Sequence, residues 1–235
     1  MHRFYISEVS GDICKLSEEE SKHCVRVLRL QENDSVGILN GKGKRFSAII
    51  ENANPKTCLL KITGYQEEAP PVWELHVAVA PTKNMVRMEW LIEKLTEIGI
   101  TKFIPVECHN SERTLLKTER LKKIAVEAMK QSGNLYLPEI GELIPLENLL
   151  DEYSSFPGQK FIPHCNASER KTLSSIYQKG QNALVLIGPE GDFTEEEVNL
   201  AINAGFIPVT LNENTLRTET AALVVAAALK MLNNF

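Results

Sequence analysis

Apolar strands and amphipathic helices alternate along the chain after Val72, and this alternation constrains the fold more than any other feature. Strand-like runs lie at 73–80, 103–106, 161–164, 183–187 and 206–211. Between the first two runs, Met88, Leu91 and Leu95 recur at helical spacing. Alternating strands and helices are typical of a mostly parallel sheet covered by helices, so we predict an α/β fold for this part of the chain.

Two predicted helices near the C-terminus carry clear signals. The first runs from Thr194 to Ala204, where Thr194 caps the helix and Glu197 completes a capping box. The second is predicted over residues 216–232, and its stretch AALVVAAAL is apolar on every side. Because a helix without a polar face is normally buried, we expect the second helix to lie inside the domain.

A seam at Gln66–Val72, QEEAPPV, divides the chain. Its two prolines and two acidic residues end one pattern before the next begins. The residues before the seam contain a predicted helix at 17–27 and a predicted β-hairpin whose turn is NGKG at 40–43. We therefore predict a small β-rich domain over residues 1–70 and an α/β domain over residues 71–235.

Composition excludes several classes of protein. No apolar run in the 235 residues approaches the roughly 20 that cross a bilayer, and the N-terminal sequence MHRFYISEVSGDICK lacks the apolar centre of a signal peptide. The five cysteines are scattered and form no CxxC motif, as expected of thiols kept reduced inside cells. These features predict a cytoplasmic protein. The histidines show no metal-ligand spacing, so we expect no metal site.

The segment Leu184–Glu197, LVLIGPEGDFTEEE, joins a buried strand to an acidic helix start through Gly188 and Gly191. Such a turn exposes main-chain N–H groups at the sheet edge where α/β proteins bind ligands. It has no lysine and no GxGxxG sequence, and Glu190 and Asp192 would repel phosphate. The segment is either a plain structural turn or a site for a ligand that is neutral or cationic near its reactive end. A sulfonium such as S-adenosylmethionine (SAM) meets that description.

A second strand-to-helix junction lies at Leu211–Ala222, LNENTLRTETAA. Arg217 is the only cation in residues 180–229. Because an unpaired buried charge is costly, this arginine needs a partner. Two interpretations are open: Arg217 forms a structural ion pair with Glu219 or Glu190, or its guanidinium binds a substrate oxygen.

These two junctions carry a family resemblance. IGPEG followed by an acidic helix start, and then LRTETAAL, resembles the C-terminal signature of the RsmE family. Members of that family are SPOUT-superfamily methyltransferases that modify N3 of a uridine in 16S ribosomal RNA. Further segments occur in family order: RVLRL near residue 26, NGKGKRF, PTKNMVRMEWLIEKLTEIGI, SER at 111–113, QSG at 131–133 and PEI at 138–140. The resemblance covers nearly the whole chain.

The resemblance implies a fold, a cofactor and an assembly. It implies a small N-terminal PUA-like β-barrel domain and a C-terminal SPOUT methyltransferase domain, an α/β fold whose chain threads into a deep trefoil knot. SAM would lie in the knotted loops, and the active unit would be a homodimer. The implied SAM-binding residues are His164, Ile187, Gly188, Pro189, Glu190, Gly191, Leu211, Asn212, Leu216 and Thr218.

The implied reaction assigns roles to two residues. Loss of the N3 proton places negative charge on O2 and O4 of the uridine, and we expect Arg217 to stabilise that charge while Glu219 orients Arg217. The partner would be 16S ribosomal RNA or the small ribosomal subunit, bound partly by the locally basic window 22–45, for which a solvated face is the alternative. The expected RNA-binding residues are Arg26, Arg29, Lys42, Lys44, Arg45, Lys83, Arg87 and Arg113.

Two other functions remain open at this point. The protein could be a SPOUT methyltransferase that acts on another RNA site, such as a ribose 2′-OH. It could also be a non-catalytic RNA-binding protein of ribosome assembly that retains the fold.

Overall fold

A computed structural model describes residues 1–164, 171–211 and 214–233. The chain divides into two compact units. The first comprises Met1–Pro70 and Val126–Leu137, and the second comprises Pro71–Ala125 and Pro138–Phe235. The break after Pro70 lies within the predicted seam, whereas the sequence did not indicate that residues 126–137 pack with the N-terminal part. The assignment of domains to 1–70 and 71–235 stays a prediction.

The first unit is built on one five-stranded sheet and a short helix. Its elements are β1 (Arg3–Tyr5), β2 (Ile13–Lys15), α1 (Glu18–Lys22), which continues into a π-helical turn (His23–Val27), β3 (Ser35–Leu39), β4 (Lys44–Asn52) and β5 (Leu59–Glu67). The strand order is β1-β3-β4-β5-β2. The β1–β3 pair is parallel and the other pairs are antiparallel.

The predicted hairpin is confirmed as the pair β3–β4. Asn40 organises its turn, because its Oδ1 accepts hydrogen bonds from the N–H groups of Lys42 and Lys44, each at 2.9 Å. Gly43 has φ 93°, a conformation that residues with a side chain rarely adopt. The turn therefore closes through local chemistry that the sequence displays.

The second unit has a fully parallel sheet with helices between its strands. Its elements are β6 (Leu75–Val79), α2 (Met85–Ile98), β7 (Lys102–Glu107), α3 (Thr118–Ser132), β8 (Glu139–Ile140), β9 (Ile144–Pro145), α4 (Leu146–Glu152), β10 (Gly158–Pro163), β11 (Lys171–Thr172), α5 (Leu173–Ile176), β12 (Asn182–Ile187), α6 (Glu195–Asn203), β13 (Phe206–Thr210) and α7 (Thr218–Leu232). Helix α3 ends within the segment that packs with the first unit. The sheet order is β11-β13-β10-β12-β6-β7-β8, with β9 beside β7, which confirms the α/β prediction.

The two predicted C-terminal helices have opposite outcomes. The capping box of α6 is confirmed, since Thr194 Oγ1 accepts from the N–H of Glu197 at 3.2 Å and the Glu197 carboxylate accepts from the N–H of Thr194 at 2.9 Å. The expectation that α7 is buried on every side is wrong, because Val224 is 37% exposed and Met231 is 64% exposed. Helix α7 packs against α2, α5, β6 and β12, and these neighbours leave part of its apolar surface uncovered.

None of the helices within the described ranges has the length and apolar character that a membrane span requires.

Candidate functional site

The two junctions singled out in the sequence leave the same edge of the parallel sheet. β12 ends at Ile187 and β13 ends at Thr210, and β10 lies between them, parallel to both. The carboxyl ends of parallel strands share one edge, which is where open α/β sheets bind ligands. The loop after β12 and the segment before α7 are therefore neighbours, although they are far apart in sequence.

A buried hydrogen bond joins the two junctions directly. Thr218, the first residue of α7, donates from Oγ1 to the carbonyl oxygen of Gly188 at 3.0 Å. Gly188 is also closely packed, because a Cβ at this position would lie 2.9 Å from the ring of Phe193. Position 188 therefore has no room for a side chain.

A cavity of about 540 Å³ lies between the two junctions. This volume falls within the roughly 300–1,000 Å³ typical of small-molecule sites. The cavity is lined by residues of both junctions and of the carboxyl ends of β10 and β13: Pro163, His164, Ile187, Gly188, Pro189, Glu190, Asp192, Val209, Thr210, Leu211, Asn214, Thr215, Leu216, Arg217, Thr218 and Ala221.

The cavity contains most of the residues that the sequence assigned to SAM. Eight of the ten line it: His164, Ile187, Gly188, Pro189, Glu190, Leu211, Leu216 and Thr218. Gly191 is not among the lining residues, and Asn212 lies outside the described residues. Sequence reasoning missed Val209, Thr210 and Ala221, which precede or follow the motif and carry no signal of their own.

The charges around the cavity favour a cation over an anion. Glu190 and Asp192 line it together with a single guanidinium, that of Arg217. Among the lining residues of fixed charge, two carboxylates and one cation leave a net charge of −1. Such a wall attracts a sulfonium and repels a free phosphate.

Arg217 does not form the structural ion pair that the sequence left open. Its side chain is exposed, and within the described part of the chain no hydrogen bond or ion pair involves it. The carboxylates of Glu190 and Glu219 instead contact Arg87, whose Nη1 lies 3.3 Å from Glu190 Oε1 and whose Nε lies 3.6 Å from Glu219 Oε1. Glu219 thus contacts Arg87 rather than Arg217.

Glu219 itself is almost fully enclosed. The residue is only 6% exposed, and its Oε2 has no hydrogen-bond partner among the described residues. Among the described residues, Glu219 forms an ion pair with Arg87, and it does not line the cavity. Its contact with Arg87 therefore provides the compensation that a buried carboxylate requires.

Two residues after β7 contact the loop that follows β12 and the first turn of α6. Asn110 Nδ2 donates to the carbonyl oxygens of Gly191 at 3.3 Å and Asp192 at 3.0 Å. The buried Glu197 carboxylate accepts from the N–H of His109 at 2.7 Å. The sequence reading missed Asn110, because only the fold brings the end of β7 next to this loop.

The expected RNA-binding cations of the first unit differ in whether their side chains already form ion pairs or hydrogen bonds. Lys42 is paired with Glu8, and Lys44 lies 3.3 Å from Glu67. Arg45 donates from Nη2 to the carbonyl of Gly133 at 3.0 Å. By contrast, the side chains of two arginines are exposed and form no ion pair within the described residues: Arg26 and Arg29.

The expected RNA-binding cations of the second unit are all engaged near the cavity edge. Lys83 Nζ lies 2.8 Å from Glu112, and this carboxylate raises the pKa of Lys83. Arg113 donates to the carbonyl oxygens of Thr82 at 3.3 Å and Lys83 at 2.6 Å. The third, Arg87, contacts the two carboxylates described above.

Comparison with known proteins identifies the family. A family model described as an RNA methyltransferase domain matches residues 68–230, and one described as an RNA methyltransferase PUA domain matches residues 16–63. The chain is 29% identical over 97% of its length to Ribosomal RNA small subunit methyltransferase E of Aquifex aeolicus, 99% of which is covered. The chain belongs to the RsmE family of RNA methyltransferases.

Solved structures agree with membership of the RsmE family. A probable rRNA-methyltransferase from Porphyromonas gingivalis has a TM-score of 0.91 at 38% identity, covering 100% of this chain and 99% of that chain. Ribosomal RNA small subunit methyltransferase E from Neisseria gonorrhoeae, solved bound to S-adenosyl methionine, has a TM-score of 0.86 at 28% identity, covering 99% and 98%. The resemblance and the fold class predicted from the sequence are therefore confirmed.

Proposed function

We propose that this chain is a SAM-dependent methyltransferase that methylates N3 of a specific uridine in 16S ribosomal RNA. The observation that carries the proposal is the buried bond between Thr218 and Gly188, which joins the two signature segments around one cavity. Relatives named for small-subunit ribosomal RNA, one of them solved with SAM, support the same substrate and cofactor.

The residues of the cavity fit SAM. Ile187, Leu211 and Leu216 provide apolar surface for an adenine ring, and the turn at Gly188 provides main-chain groups. The net negative wall formed with Glu190 suits a sulfonium. When bound, SAM supplies an electrophilic methyl group.

Arg217 is the residue that we assign to the chemistry. It lines the cavity and carries no ion pair among the described residues, so its guanidinium is available to a substrate oxygen. Deprotonation of N3 places negative charge on the uridine oxygens, and a cation beside those oxygens stabilises that charge as it develops. Removing one such donor typically costs about 10²–10³ in turnover. The Glu219 carboxylate contacts Arg87 rather than Arg217, so we assign Glu219 only an indirect role in the reaction.

RNA binding is assigned first to the PUA-like unit. Arg26 and Arg29 are exposed and free to contact phosphates, and Lys42 and Lys44 form exposed ion pairs that phosphates could replace. Chemistry on a base edge requires the target uridine to leave its stack, so these cations position the RNA rather than read the base. Because the substrate is ribosomal RNA, we propose a cytoplasmic location.

We also propose a homodimer. Val86 and Trp90 on α2 are 69% and 41% exposed, and Val224 and Met231 on α7 are 37% and 64% exposed. These two helices pack against each other, so the exposed apolar residues fall on neighbouring elements. A second copy of the chain would cover them. The trefoil knot stays a prediction of the resemblance.

The test is mass spectrometry of ribosomal RNA nucleosides after incubation with labelled SAM. We expect label in N3-methyluridine with unmethylated small-subunit RNA or subunits, and labelling about 10²–10³-fold slower with Arg217→Ala, which should still bind SAM in a calorimetric titration. Label in a 2′-O-methylated nucleoside would indicate the other SPOUT activity. The absence of SAM binding by the wild-type protein would indicate a non-catalytic role.

A further inference from the structure

The guanidinium of Arg87 contacts carboxylates from both segments that close the cavity. Glu190 lies in the loop after β12 and lines the cavity, and Glu219 lies in the first turn of α7. Arg87 reaches Oε1 of the first at 3.3 Å and Oε1 of the second at 3.6 Å. It is therefore a second link between the two segments, beside the hydrogen bond from Thr218 to Gly188.

The sheet order explains why Arg87 lies there. β6 and β12 are adjacent and parallel, with Val79 opposite Ile187, so the segments that follow them leave the sheet side by side. Helix α2 begins just after β6 and is capped by Asn84, whose Oδ1 accepts from the N–H of Val86 at 3.0 Å. This cap fixes the first turn of α2, and Arg87 lies in that turn.

The contacts of Arg87 with Glu190 and Glu219 matter because they neutralise carboxylate charge beside the cavity. Glu219 is 6% exposed, and a buried carboxylate without a compensating cation is strongly unfavourable. If Arg87 were removed, Glu190 and Glu219 would both lose the cation that they contact. The Arg87 side chain is 34% exposed, so solvent partly screens the pair, and we expect the loop carrying Glu190 to shift rather than the unit to unfold.

We propose that Arg87 is a positioning residue of the SAM site, and not the RNA contact that the sequence predicts. Its forked guanidinium holds Glu190 and Glu219 at the same time, and thereby sets the spacing of the two segments around the cavity. This inference rests on the SAM-binding part of the proposed function.

The test compares Arg87→Met with Arg87→Lys. Calorimetric titration with SAM, without RNA, should show about tenfold weaker binding for Arg87→Met, a factor typical of coupled neighbouring groups. Steady-state kinetics should show a raised KM for SAM and a smaller change in kcat. Arg87→Lys should restore most of the affinity and lose about threefold, because an ammonium is a point charge that cannot bind two carboxylates as a fork does.

Arg120→Met is the matched control. Arg120 lies on α3 and forms an ion pair with Glu89, which lies on α2 as Arg87 does. Arg120 Nε is 2.6 Å from Glu89 Oε1, and neither residue lines the cavity. This variant should bind SAM and RNA as the wild-type protein does. A cycle with Glu190→Gln completes the test, since Arg87→Met should have less effect once Glu190 is neutral.

Two results would overturn the inference. One is wild-type SAM affinity in Arg87→Met together with weaker RNA binding, which would make Arg87 an RNA contact. The other is wild-type affinity for SAM and wild-type KM for SAM in Arg87→Lys. This result decides the question if Arg87→Met does not fold. Failure of the wild-type protein to bind SAM would instead refute the proposed function itself, so the two failures are distinguishable.

Discussion

Replacing Thr218 by valine should destabilise the second unit and weaken its SAM site. The substitution removes the hydroxyl but keeps the β-branched shape of a residue that is 5% exposed, so packing changes little. The Gly188 carbonyl then loses its donor in a buried setting. A buried polar group left unsatisfied costs about 1–3 kcal/mol, which is the loss expected in the free energy of unfolding.

The same bond joins the two cavity walls, so its loss should also appear in binding. SAM binding requires the loop after β12 and α7 at their native spacing. If Thr218→Val makes that spacing less favourable by about 1.4 kcal/mol, SAM affinity falls about tenfold. Calorimetry measures the affinity. Urea unfolding followed by tryptophan fluorescence measures the stability, because both tryptophans, Trp73 and Trp90, belong to the second unit.

Two control variants isolate the hydrogen bond. Thr218→Ser keeps the hydroxyl and should retain most of the SAM affinity. Thr220→Val makes the same chemical change one position beyond Glu219, where no bond to the loop after β12 exists among the described residues. If Thr218→Val matched the wild-type protein in both stability and SAM affinity, the bond would not hold the cavity together and the reasoning would fail.

Two further predictions concern RNA binding and pH. Arg26→Ala and Arg29→Ala should each weaken binding of small-subunit RNA and lower the slope of log K against log salt by about one. The exposed Lys56 serves as the control, and an unchanged slope in both arginine variants would count against the assignment. Burial lowers the pKa of His76 below its ordinary 6.5, against the opposing effect of Glu74, so the unfolded chain binds protons first as the pH falls. The free energy of unfolding should therefore decrease from pH 7 to pH 5 by urea titration, and less so in His76→Gln; an identical decrease in that variant would exclude His76 as the cause.

Local chemistry made several elements predictable from the sequence. The capping box of α6 needs only Thr194 and Glu197, three residues apart, and the β3–β4 turn needs only Asn40 and its glycines. The meeting of the two signature junctions was also predictable in outline, because parallel strands direct their carboxyl ends to one edge.

Contacts that depend on strand order were not predictable in the same way. Arg87 reaches Glu190 only because β6 lies beside β12, and no local pattern encodes that adjacency. The exposure of Met231 has a similar origin, since apolar composition says that a helix can be covered but not which neighbours cover it. The sequence likewise does not reveal that residues 126–137 pack with the first unit.

A crystal structure of the protein with SAM would show whether the two signature segments form one binding site. We expect SAM density in the cavity, contacted by the main chain of residues 187–191 and by the segment leading into α7, with the Arg217 guanidinium near the methyl group. Density for SAM elsewhere, or against only one of the two segments, would contradict this expectation.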